Sequence, residues 1–239
     1  MRTVLTICVS LWLSASSRAR ADDLKDVFYN TPEAAIRHFV EGVAKNDIAH
    51  SLQVSMANEI AAKYDFKRMA SRLSTVMWSA NSLPSEYGAY RQLNKYAALG
   101  ELCQQIKMMC VSLLLPDTDI RRPIRDPSDE AVEQLMKSID PRGLTRLKVV
   151  RIDLPARVMT SKEARELAVK QAVPYGATDT TERVVLLDLN GQAHYLGVRL
   201  YQFGNYWKIQ ELLSLYADTR LTAGMKTTVK EYEAMLLAQ

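Results

Sequence analysis

The chain has 239 residues, is 48% hydrophobic and 8% aromatic, and carries 31 basic against 27 acidic side chains, a formal charge of +4. That much apolar content supports a packed core and excludes an intrinsically disordered chain. The charge is too small and too evenly divided to produce the field of a nucleic-acid binder, so no nucleic-acid partner is expected.

The chain opens with Arg2, an apolar run from Val4 to Leu13 and small residues closing on Ala19-Arg20-Ala21. This is the n-region, h-region and cleavage site of a secretory signal. Residues 1–21 are therefore expected to be removed, leaving a secreted or periplasmic protein. A lipoprotein would need Cys8, which almost no hydrophobic region precedes. Cleavage takes away Arg2, Arg18 and Arg20 and no acid, so the basic count falls from 31 to 28 against 27 acids and the net charge to +1. No later run approaches the eighteen or so apolar residues of a transmembrane helix. No linker divides residues 22–239, which are expected to form a single domain.

Thr31-Pro32-Glu33 combines a cap, a first-turn proline and an acid, and predicts a helix whose apolar face is Ile36, Phe39, Val40 and Val43, ending at Lys45-Asn46-Asp47. A short helix is predicted from Ile48 to Val54, and a longer one from Ile60 to Met77 before the breaker at Asn81-Ser82-Leu83-Pro84. From Tyr90 to Val111 the residues Leu99, Leu102, Cys103, Ile106, Met109 and Cys110 keep helical spacing. The run from Met108 to Leu115 reads equally as a buried strand. These alternatives decide the cysteines: an unbroken helix separates Cys103 and Cys110 by roughly 10 Å, too far for a disulfide, whereas a break between them permits one. The segment from Pro116 to Pro127 reads as a surface loop, in which Arg121, Arg122 and Arg125 alternate with Asp117, Asp119 and Asp126 and invite internal pairing.

Asp126-Pro127 opens a helix with Ala131, Val132, Leu135, Met136 and Ile139 on one face, stopped by Asp140-Pro141-Arg142-Gly143. Leu144 to Leu154 is predicted as a strand, and Thr160 with Glu163 opens a helix toward Val173-Pro174. The last third changes character. Strands are predicted over Arg183–Leu189, Ala193–Phe203 and Tyr206–Leu215, joined by Asn190-Gly191 and Gly204-Asn205, an antiparallel meander. Thr222 to Gln239 reads either as a terminal helix or as a disordered tail.

Helices followed by a strand, a helix and an antiparallel meander give an α+β fold in which a curved antiparallel sheet packs against N-terminal helices. The stretches Thr31-Pro32-Glu33-Ala34-Ala35-Ile36 through Lys45-Asn46-Asp47, Leu189-Asn190-Gly191 and Phe203-Gly204-Asn205-Tyr206-Trp207-Lys208-Ile209 resemble the NTF2-like (cystatin-like) superfamily, in particular its exported bacterial proteins. The resemblance makes residues from about 58 to 140 a helical insertion and implies a cone with a cavity between sheet and helices. In the family's isomerases and dehydratases that cavity holds an Asp or His base. No motif carries such a base onto this chain.

The residues offer two weak sites. Along the middle strand, His194, Leu196, Val198 and Leu200 alternate with Tyr195, Gly197, Arg199, Tyr201 and Phe203. Tyr195, Arg199, Tyr201 and Phe203 would line a pocket for an apolar ligand with an acidic group, or else form an exposed face with the arginine stacked between aromatics. His194, with Asp188 across the turn, is the one pairing suited to a general base, and exposed polar neighbours are its plainer reading. His38 and His50 lack metal-ligand spacing, and no nucleophile elbow, phosphate loop or dinucleotide fingerprint occurs, so neither metal nor cofactor is expected. Trp207, Met69, Met77, Met108 and Met109 read as core. The expectation is an exported, non-catalytic domain that binds a protein or cell-envelope component. The alternatives are a carrier for an apolar or lipid-like molecule and an isomerase or dehydratase. An open Tyr195/Arg199/Tyr201 face would favour an interaction surface or homodimer, an enclosed one a ligand.

Overall fold

Residues 25–73, 82–120, 122–155, 162–214 and 224–237 are described by a computed structural model. The expected export segment lies outside them, as do Met77, Arg121 and Thr160.

Helix α1 spans Pro32–Ala44 and begins as the sequence predicts, with the Thr31 hydroxyl accepting from the Ala34 amide. Ile36 and Phe39 are fully buried, and each contributes about 1.5–3 kcal/mol of transfer free energy. Helix α2 (Ile48–Leu52) folds back so tightly that a Cβ on Gly42 would lie 2.6 Å from the Ser51 amide nitrogen. The long helix predicted from Ile60 is instead two, α3 (Ala57–Lys63) and α4 (Phe66–Leu73). Tyr64 is extended between them (φ −63°, ψ 121°), and the Asp65 carboxylate caps the Arg68 amide at 2.9 Å, restarting the helix on a new axis.

Helix α5 runs unbroken over Gly88–Leu114, so the strand reading of Met108–Leu115 is not realised. Leu99, Leu102, Ile106, Met109 and Leu113 form one buried stripe, a helical period that a strand would divide between two faces. Cys103 and Cys110 are free, half-buried thiols. In the loop that follows, the exposed Arg122 pairs with Asp119 at 3.2 Å. Helix α6 (Asp129–Ser138) is capped by Ser128 but buries no residue, leaving Val132, Met136 and Ile139 exposed.

Part of the strand predicted from Leu144 is a 3-10 turn, Pro141–Arg146, because Asp140 caps Arg142 and fixes a helical start. Strand β1 is Lys148–Asp153, helix α7 Lys162–Ala172, followed by a 3-10 turn at Val173–Tyr175. Strands β2 (Asp179–Leu189) and β3 (Gln192–Phe203) meet at Asn190 and Gly191, both at positive φ as a tight hairpin turn requires. Strand β4 (Tyr206–Glu211) is shorter than predicted; β5 (Met225–Lys226) and helix α8 (Val229–Leu237) complete the described chain.

The antiparallel sheet has the order β1-β2-β3-β4, with β5 on the same side of β3 as β4. Its first face carries Val185, Leu187, Leu196, Val198, Leu200 and Ile209 against α1 and α5. The second face is covered too. Tyr232 of α8 packs on Val184 and Leu186, while residues of α3 and α4 pack on Tyr201 and Phe203. Burial on both sides explains why β2 reads Val-Val-Leu-Leu rather than alternating. No helix among the described residues is long and apolar enough to cross a membrane.

Candidate binding cleft and the polar layer behind it

The second face of the sheet, where the sequence places Tyr195, Arg199, Tyr201 and Phe203, is enclosed and divided into three parts. Tyr195 joins the α8 cluster, its hydroxyl 3.1 Å from the Met225 sulfur. Phe203 is buried among α3 and α4 residues, with the Lys63 ammonium 4.9 Å from its ring centroid. Tyr201 lies beside Tyr175 with ring centroids 5.7 Å apart, and Tyr175 in turn lies 5.6 Å from Tyr64.

Arg199 sits between these parts, and two carboxylates engage it. Its Nε and Nη2 donate to Glu182 Oε1 at 3.0 and 2.7 Å, and its Nη1 to Glu211. Ser214, fully buried, donates to the other Glu182 oxygen. The Glu211 partnership depends on a β-bulge. Arg199 faces Glu211 while the next residue, Leu200, faces Ile209, so Gln210 is an extra residue in β4. In a regular ladder Gln210 would oppose Arg199 and Glu211 would leave by the other face. Burial, reinforced by Glu101 and Glu182, raises the Glu211 pKa above the ordinary carboxylate value despite Arg199. Burial also raises the Tyr175 and Tyr201 phenols.

Gln210 is among the residues that line a cleft of about 360 Å³ between α3, α5 and residues 82–83, near the lower end of the roughly 300–1,000 Å³ usual for small-molecule sites. Met56, Ile60, Leu93 and Leu102 form apolar wall; Tyr175, Glu101 and Gln210 are among its polar groups. Asn94 holds the rim, accepting from the Leu83 amide at 2.8 Å and donating to its carbonyl at 2.7 Å. The Gln210 Oε1 atom is buried without a hydrogen-bond partner among the described residues.

Tyr195, Arg199, Tyr201 and Phe203 do not line this cleft. His194 is 1% exposed on the first sheet face, its Nδ1 3.2 Å from the Gln192 carbonyl. The register sets His194 opposite Leu187 and Asp188 opposite Ala193, so the two side chains leave opposite faces and no hydrogen bond joins them. Asp188 instead accepts from the Gly191 amide at 3.4 Å, bracing the hairpin. His38 and His50 do meet, stacked at 3.8 Å, with His38 also held by Tyr29 and Gln53. Among the described residues no group of three or more His, Cys, Asp or Glu is arranged to hold a metal ion.

Tyr175, Gln210, Glu101 and the α3–α5 lining were not singled out from the sequence. One signal was available: Ile209-Gln210-Glu211 breaks the alternation of Tyr206-Trp207-Lys208 with two adjacent polar residues, as a bulge does.

No family model and no curated protein matches the chain. It is similar to a solved structure of a cystatin-like protein from Ruminococcus gnavus ATCC 29149, at 15% identity and a TM-score of 0.53. The match covers 88% of this chain and 44% of that one, so the chain spans less than half the length of its structural relative. The likeness is one of fold, an α+β architecture of the cystatin-like kind.

Proposed function

We propose that the chain is an exported, non-catalytic binding domain of the NTF2-like type, and that a small ligand occupies the cleft between α3 and α5. One observation carries this reading: a cleft of about 360 Å³ between α3 and α5 joins apolar wall from Met56, Ile60 and Leu102 to a few polar groups, Glu101, Tyr175 and Gln210 among them. The wall supplies affinity and the few polar groups supply orientation, the usual division in small-molecule sites. Catalysis finds less support. Asp188 and His194 face apart, and Arg199 is committed to Glu182 and Glu211. Native mass spectrometry of protein from its own host tests the proposal. A retained small molecule, lost on substituting Ala97 by Trp at the cleft wall, is the expected result. A bare polypeptide mass that no added ligand shifts would overturn it.

A further inference from the structure

The charges around the cleft restrict what it binds. Glu101 is the one charged residue among the described residues that line it. Behind Tyr175, Glu211 and Glu182 face a single guanidinium, Arg199, that both already engage. Arg72 of α4 is the remaining charge acting on Tyr175 and Tyr201. The charge that the described lining itself presents to a ligand is therefore negative.

We propose that the cleft selects a cationic amphiphile, a small molecule with a primary amine or amidine at one end and an apolar body at the other. This rests on the cleft being the ligand site. The cationic end is held by Glu101 beside the Tyr175 ring. There the ligand's N–H groups donate to the Glu101 carboxylate in a charge-assisted pair, and the aromatic ring adds attraction for a cation. The apolar body lies along Met56, Ile60 and Leu102. An acidic amphiphile meets Glu101 first and finds Arg199 taken, so it is excluded by repulsion and by the lack of a free counter-ion.

Isothermal titration of the purified protein with octylamine, octanol and sodium octanoate at neutral pH tests both levels. Octylamine is expected to bind about tenfold more tightly than octanol, and octanoate not measurably. Glu101→Gln should reduce octylamine to the level of octanol, and Ala97→Trp, which fills the cleft from an exposed helical position, should abolish binding of both. If octanol or octanoate binds as tightly as octylamine and Ala97→Trp still abolishes it, the cationic selectivity is overturned while the cleft survives as a ligand site. If none of the three binds, or if Ala97→Trp changes nothing, the cleft is overturned as well.

Discussion

Arg199 is 16% exposed in its side chain and Glu182 and Glu211 only 5% and 11%, so removing the guanidinium alone strands two buried carboxylates. Arg199→Met is expected to cost about 3–5 kcal/mol, the usual penalty for breaking a buried ion pair. Adding Glu182→Gln and Glu211→Gln should restore most of that, because a neutral trio has no charge to desolvate. Urea midpoints of the single and triple variants check both halves of the expectation. His194 gives a separate, pH-dependent outcome. Its Nδ1 donates to a carbonyl and its Nε2 lacks a partner among the described residues, so the ring is held neutral. Burial first, with a smaller contribution from the Lys226 ammonium, lowers its pKa below the ordinary 6.5, against the opposing pulls of the Gln192 carbonyl hydrogen bond and, more weakly, Asp188. The folded pKa is depressed, so the stabilisation is present above the unfolded value and lost as pH falls through the folded one. Unfolding free energy should therefore drop on acidification from about pH 7 to 5, and His194→Leu should make that drop shallower. His38, lowered by burial and by His50, has the same sign and leaves a residual slope in the variant. Glu59 and Glu211, both raised by burial, act oppositely in either protein and cancel from the comparison.

At the scale of elements, Tyr232 is the deepest anchor of α8, beside the partly buried Met235 and Leu236 and an Arg151–Glu233 pair at 3.4 Å. Tyr232 is 1% exposed, and its hydroxyl lies 2.8 Å from Asp153 and 3.0 Å from the Val184 carbonyl. Tyr232→Phe should cost about 1–2 kcal/mol through the lost hydrogen bonding. Tyr232→Ala should cost about 3–5 kcal/mol and free the C-terminal segment, seen as early cleavage after Lys230 in limited proteolysis. Elements with complete local signals were legible beforehand: α1 from Thr31-Pro32-Glu33, and the hairpin from Asn190-Gly191. Where a tertiary contact overrides the local pattern the sequence misled. The helical period from Ile60 to Met69 is continuous, but the Asp65 amide donates to the Pro174 carbonyl at 2.7 Å, a distant partner that favours the break. The α6 pattern was read correctly as amphipathic, yet its apolar side meets no core, which no local rule reveals. For the cysteines, spacing framed the choice, and the continuity of α5 decides it in favour of two thiols.

Across the whole molecule, both sheet faces are covered, and the covering of the second brings the cleft into being. An alternating strand shows which residues share a face but not what lies over it, so Arg199 was legible as sharing a face with Tyr195 and Tyr201, while the enclosure of that face, the carboxylate partners and the Gln210 bulge were not. The β4 edge is closed by the start of the described chain. Tyr29 bridges Trp207, and the fully buried Lys208 ammonium lies 2.8 Å from Asp26, 3.0 Å from the Gln53 carbonyl and 4.8 Å from the Phe28 ring centroid. A chain beginning at Lys25 should keep nearly full stability. One beginning at Asn30 loses the counter-ion of a buried lysine and is expected to be about 3–5 kcal/mol less stable. Lys208→Met in the shortened chain should recover part of that loss, which separates stranded charge from lost packing; urea unfolding of the three proteins reads it. The same contact limits where an export signal is removed. A cut after Ala21 spares Asp26 and a cut beyond Asp26 exposes the edge, so on the proposed export reading the intact mass of the mature protein is expected to correspond to a first residue at Asp22.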